Sequence, residues 1–217
     1  MDFIHYLTEW LFPSKCILCR ELLDREETDL CRRCRMETDD FPQEKLKVPF
    51  IDSVAAVWYY KGNVRRCLLR YKFHRARHLA VPLGKMMAMQ VLRGPAEEAD
   101  LVTWVPISPL RRFVRGYDQD ELLARVMAEE LGIPCVPLLK KLRHNRAQSG
   151  IDGYAKRRAN VLGVYGSLNA DRINGAKVLL VDDILTTGAT ASECARILLT
   201  AGAKEVHCAV AASAHHK

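Results

Sequence analysis

Residues 178–190 constrain this chain more than any other segment. They read Val-Leu-Leu-Val, then Asp182 and Asp183, then Ile-Leu-Thr-Thr-Gly-Ala-Thr, and they open a helical pattern over residues 189–201 that stops at Gly202. An apolar strand that hands over to a helix through a small, hydroxyl-rich turn is one half of a strand–helix repeat, and the alternation recurs along the chain. Residues 53–60 read as extended, 63–71 and 79–92 as helices, 101–107 as an apolar strand, 121–131 as a helix, and 176–181 and 206–212 as strands. Such alternation predicts an α/β domain, a parallel sheet flanked by helices on both faces, with a ligand at the strand C-terminal ends. The functional loops should therefore follow Ile107 and Val181.

The turn after the second of these strands is an anion site. Backbone N–H groups at a helix N-terminus converge on a phosphate, Gly188 allows close approach, and Thr186, Thr187 and Thr190 add hydroxyl donors. Asp182 and Asp183 would repel that phosphate unless they accept hydrogen bonds from sugar hydroxyls or face a magnesium ion. A phosphorylated ribose satisfies both requirements. The segment resembles the signature of type I phosphoribosyltransferases, which bind phosphoribosyl pyrophosphate. By that resemblance Asp182 and Asp183 hold the ribose 2- and 3-hydroxyls, Thr186, Thr187, Gly188, Ala189 and Thr190 cradle the 5-phosphate, and Mg2+ accompanies the ligand.

Residues 104–119 follow the other apolar strand: Trp-Val-Pro-Ile-Ser-Pro-Leu-Arg-Arg-Phe-Val-Arg-Gly-Tyr-Asp-Gln. Guanidinium forks at a strand end can grip pyrophosphate or nucleic-acid phosphate. The segment resembles the V-P-x-P-x-R-R-x-x-R-G-F-N-Q motif of the ComF family, whose members join a cysteine knuckle to a phosphoribosyltransferase domain. The resemblance covers nearly the whole chain, through four N-terminal cysteines, this motif, Gln148, Arg158, Asn160 and the Asp-Asp loop. Two positions depart from it: Ser108 stands where proline is common, and Asp118 replaces asparagine. Ser108, Arg111, Arg112 and Arg115 are thereby expected at the pyrophosphate. The resemblance implies a role in natural transformation, handling single-stranded DNA with phosphoribosyl pyrophosphate as ligand or effector, alongside partners of the competence machinery. An active phosphoribosyltransferase of unknown acceptor and a ligand sensor acting through protein contacts are the alternatives, because no general base or catalytic residue is legible.

Cys16, Cys19, Cys31 and Cys34 form two C-x-x-C pairs. Each pair turns two thiolates toward one centre, and two pairs complete a closed tetrahedral site that Zn2+ accepts as a structural ion. Two disulfides, an iron–sulfur cluster or a redox pair compete with zinc; a reducing compartment disfavours the disulfides. Few apolar residues lie between the pairs, so the knuckle would need metal to fold. Cys194 and Cys208 fall in apolar patterns and read as small buried hydrophobes. Residues 1–45 are expected to form an amphipathic helix, with Phe3, Leu7, Trp10 and Leu11 on one face, and the zinc knuckle. A charged, Pro-containing linker spans residues 37–49, and residues 50–217 form the phosphoribosyltransferase-like domain.

Across the 217 residues, 33 Lys plus Arg against 26 Asp plus Glu leave a net charge of +7, suited to phosphate ligands, nucleic acid or acidic membrane. Cations and aromatics interleave over residues 61–77, and residues 140–150 with 156–158 make a basic segment expected to be a mobile loop. With 49% hydrophobic residues the chain should bury a substantial core. No apolar run approaches the roughly 20 residues of a membrane span, and Asp2, His5 and Glu9 interrupt the N-terminus where a signal peptide needs an apolar stretch. A cytoplasmic location follows as the expectation.

Overall fold

The computed structural model describes residues 13–42, 46–143 and 161–214. Its strands are β1 (Ser53–Tyr59), β2 (Leu101–Trp104), β3 (Leu139–Lys141), β4 (Tyr165–Ser167), β5 (Lys177–Leu185) and β6 (Glu205–Ser213). The helices are α1 (Arg32–Glu37), α2 (Gly62–Phe73), α3 (Ala80–Val91), α4 (Pro109–Arg115), α5 (Gln119–Leu131), α6 (Ala170–Ile173) and α7 (Ala189–Thr200).

The central sheet has the order β1-β6-β5-β2, and all three pairings are parallel. Strand β5 lies inside the sheet and is buried on both faces, which is why its sequence is nearly uninterrupted in apolar residues. Its side chains divide by the two-residue period of a strand. Leu179 and Val181 pack with Leu83, Met87, Leu123 and Met127 of α3 and α5, whereas Val178 and Leu180 pack with Cys194, Ala195 and Leu198 of α7. The expected parallel sheet flanked by helices is the observed fold. Cys194 and Cys208 are fully buried within the α7-side core.

Three local expectations need correction. Strand β5 does not stop at Val181 but continues through both aspartates to Leu185, because β6 keeps pairing with it as far as Leu185 opposite Ser213. Strand β2 ends at Trp104, earlier than Ile107. Only Val105 N–H follows it, donating to the Val181 carbonyl at 2.9 Å, and Pro106 has no N–H to donate. The segment that follows is no open loop: Ser108 accepts from the Arg111 N–H at 3.4 Å, Pro109 occupies the first turn, and α4 runs to Arg115, where Gly116 closes it at φ +78°.

The four knuckle cysteines sit against the α2 side of the sheet. Cys16, Ile17, Leu18, Leu30, Cys31 and Cys34 belong to the same apolar cluster as Val64, Cys67, Leu68 and Tyr71 of α2. The Arg70 guanidinium donates to the carbonyls of Ile17 and Leu18, tying knuckle and helix together. The expected N-terminal helix, the basic residues 144–158, Gln148 and Asn160 lie outside the described residues.

Candidate functional site

A cavity of about 840 Å³ opens at the C-terminal ends of β2 and β5, where the fold class places ligands. Its lining includes all of Asp182, Asp183, Thr186, Thr187, Gly188, Ala189 and Thr190, the segment singled out from sequence. Gly188 serves as the N-cap residue of α7 at φ +73° and has no side-chain cap. A Cβ built there would lie 3.0 Å from Val48, so the glycine meets a backbone demand and a packing demand at once. The Ala189 N–H reaches the Thr187 hydroxyl at 3.5 Å.

Asp182 and Asp183 meet a third carboxylate that sequence reading missed, Asp120 at the start of α5. One oxygen from each of the three lies within 4.8 Å of the others. Asp120 Oδ1 is buried with no hydrogen-bond partner among the described residues. Asp182 Oδ1 accepts from the Asp183 N–H at 2.9 Å, and Lys72 Nζ of α2 pairs with Asp183 at 2.8 Å. Three acids against one ammonium leave an excess of negative charge. Burial first, then the neighbouring Asp183 charge, pushes the Asp182 carboxyl up to about 7. The same two causes raise Asp120 well above the usual carboxylate range. Lys72 is raised despite its burial, chiefly by Asp183.

Asp118 explains how Asp120 is held. It caps α5, with Oδ1 accepting from the N–H groups of Asp120 at 3.1 Å and Glu121 at 3.4 Å, while Oδ2 accepts from Ile107 N–H at 3.2 Å. The departure from asparagine at this position keeps a good N-cap residue. Tyr71 and Tyr117 add to the brace: Tyr71 hydroxyl donates to the Gln119 carbonyl and Tyr117 hydroxyl to the Tyr71 carbonyl, each at 2.6 Å.

The arginine motif divides. Arg111 and Arg115 line the cavity, and Arg115 also donates to Gln119 Oε1 at 2.7 Å. Arg112 lies outside the cavity lining and pairs with Glu121 at 3.1 Å, while Ser108 is buried as the α4 cap. A further cation, Lys141 of β3, joins the lining. Its Nζ donates to the Tyr165 hydroxyl at 3.3 Å, and burial, then the Arg111 charge, hold its pKa down to about 8. No local signal distinguishes Lys141 from the basic residues around it.

At the knuckle, the four cysteine sulfurs lie within 4.8 Å of one another. Cys34 N–H donates to Cys31 Sγ at 3.4 Å, and Asn63 Nδ2 to Cys34 Sγ at 3.7 Å. Such N–H donors stabilise thiolates, so four converging sulfurs with backbone and side-chain donors fit a closed metal centre. Among the described residues no helix is long and apolar enough to cross a membrane.

The phosphoribosyl transferase domain family matches residues 121–217, which contain the Asp182 to Thr190 segment. Competence protein F of Haemophilus influenzae is 24% identical over 90% of this chain and 95% of its own length. The DNA utilization protein YhgH of Salmonella typhi is 26% identical over 89% and 94%. Competence protein ComFC of Streptococcus pneumoniae is 29% identical over 87% and 77%. Among solved structures, the allosteric regulatory enzyme of purine biosynthesis aligns over 66% of this chain at 24% identity and a TM-score of 0.44, and the chain spans only 30% of that enzyme.

Proposed function

We propose that this chain, homologous over most of its length to competence protein F, ComFC and YhgH and carrying a phosphoribosyl transferase domain, binds phosphoribosyl pyrophosphate and single-stranded DNA in the service of DNA uptake. The observation that carries the ligand half is the convergence, in one cavity, of a helix N-terminus with threonine hydroxyls and a carboxylate cluster. Phosphate and sugar need those two opposite chemistries side by side. In this reading Thr186 to Thr190 take the 5-phosphate, Asp182 and Asp183 accept from the ribose hydroxyls, and Arg111, Arg115 and Lys141 face the pyrophosphate. Arg112 and Ser108 act on the outer wall, through Glu121 and the α4 cap. Asp120, together with Asp182 and Asp183, would hold Mg2+, which would offset their excess negative charge.

Calorimetry with phosphoribosyl pyrophosphate and Mg2+ tests this directly. Wild type should bind, and Asp182→Asn combined with Asp183→Asn should weaken binding at least tenfold; unchanged affinity overturns the assignment. Zn2+ is assigned to Cys16, Cys19, Cys31 and Cys34, where it would supply rigidity to a knuckle with little apolar content of its own. Elemental analysis should find one zinc per chain in protein purified without chelator, and iron or no metal would overturn it. The DNA half is supported by the net charge of +7 and by the names of the relatives. It places the protein in the cytoplasm with competence-machinery partners, and it predicts salt-dependent oligonucleotide binding. Acceptor-dependent release of pyrophosphate would instead mark an active transferase.

A further inference from the structure

The turn from Thr186 to Gly188 is braced by a residue that does not belong to the cavity. A Cβ added at Gly188 would meet Val48 before anything else, with Cγ1 at 3.0 Å, Cγ2 at 3.2 Å and Cβ at 3.7 Å, so both methyl groups of the valine occupy the space beside that Cα. Val48 is 6% exposed, belongs to the α7-side core with Leu185 and Ala191, and is absent from the cavity lining. It reaches the turn from the core, while the cavity lies on the ligand side.

The position of Val48 is itself set by an unfavourable piece of backbone. The Val48 carbonyl accepts from the Ile51 N–H at 3.2 Å across Pro49 and Phe50, and Phe50 sits at φ +66°. Proline second and a positive φ third is the type II pattern, which ordinarily takes glycine at the third residue. A phenylalanine in the left-handed region is strained. Burial does not offset this, since Phe50 is 45% exposed. Hydrogen bonds on both flanks fix the segment, with Phe41 N–H donating to the Val57 carbonyl at 3.0 Å and Asp52 N–H to the Val206 carbonyl at 2.8 Å. Strained backbone persists where its surroundings over-determine it, and here the result is a valine seated against Gly188.

The consequence falls on the ligand. Gly188 has no side chain to hold it at φ +73°, and glycine leaves such a conformation more freely than any other residue. N–H groups whose direction wanders must be ordered when a phosphate binds, which costs affinity. We propose that Val48 is a positioning residue for the 5-phosphate: its methyl groups clamp Gly188, so that the turn opening α7 is preorganised before the ligand arrives. The proposal rests on the phosphoribosyl pyrophosphate reading above, and adds that a linker residue with no ligand contact sets the affinity of one end of the site.

Calorimetry on the full chain with two part-ligands separates a clamp from general loosening. Ribose 5-phosphate carries only the 5-phosphate end, and inorganic pyrophosphate with Mg2+ represents the other. Val48→Ala should lose about tenfold on ribose 5-phosphate and on phosphoribosyl pyrophosphate, with pyrophosphate affinity as in wild type. Val48→Ile keeps both methyl groups at the turn and should restore the affinity. Pro49→Gly, at an exposed position that leaves the core filled, frees the segment and should lose about threefold on ribose 5-phosphate alone, which keeps the clamp testable if Val48→Ala does not fold. Equal losses on ribose 5-phosphate and pyrophosphate, or wild-type affinity for ribose 5-phosphate in these variants, would overturn the clamp while the ligand reading stands. If wild type binds neither phosphoribosyl pyrophosphate nor ribose 5-phosphate, the ligand reading falls and the clamp falls with it.

Discussion

Asp182 is buried beside two other acids, and its raised pKa makes a prediction with two signs. Its folded-state value lies near 7, above the ordinary value of 3.8. The protonated form is therefore favoured by folding, and that contribution is complete below about pH 3.8 and lost as pH rises through 7. Asp182→Asn should accordingly raise the melting temperature at pH 8 by roughly 5 °C, with no gain at pH 4, as read by thermal denaturation. Binding runs the other way, since an ionised carboxylate is the better acceptor for ribose hydroxyls. Lys141 loses its charge above about 8, so affinity for phosphoribosyl pyrophosphate should climb toward pH 7 and fall beyond 8. Lys141→Met should abolish the alkaline fall in a calorimetric pH series and lower the plateau; a profile flat from 6 to 9 would contradict both assignments.

Helices α3 and α5 approach unusually closely at Gly84, where an added Cβ would stand 2.7 Å from Val126. Gly84→Ala should destabilise by about 1–3 kcal/mol in urea titration, and Val126→Ala in the same chain should recover most of it. At the head of α5, Asp118→Ala removes a cap that also anchors Ile107, and should cost about 1–2 kcal/mol. Asp118→Asn keeps Oδ1 as the cap acceptor and gives up the bond from Ile107, so it should lose less. Because this cap positions Asp120, the alanine variant should also weaken ligand binding more than its stability loss explains. Equal affinities for the two variants would show that the cap serves stability alone.

Across the whole molecule, the knuckle and the cavity are joined through α2. Arg70 holds the Ile17 and Leu18 carbonyls, and two residues later Lys72 reaches Asp183. Disrupting the four-cysteine cluster should therefore be felt at the cavity. Cys31→Ala is expected to lower phosphoribosyl pyrophosphate affinity and to expose α2 amides in hydrogen exchange, within one thermal transition; a separate early transition with unchanged affinity would show an independent knuckle. The parallel sheet, the Asp182 to Thr190 segment and the four-cysteine set were legible in the chain itself, because apolar periodicity, a turn opening a helix and paired C-x-x-C spacing are written within a few residues of one another. Even α4 left its local mark in Ser108 and Pro109, although the strand pattern before it concealed the helix. Asp120, Lys72, Lys141 and the split between Arg111 and Arg112 left none. Lys72 and Asp183 stand 111 positions apart, and only the strand order β1-β6-β5-β2 carries α2 and α5 to the end of β5. A buried carboxylate takes its charge from the groups that packing brings around it, and that company is decided by topology and not by sequence neighbours.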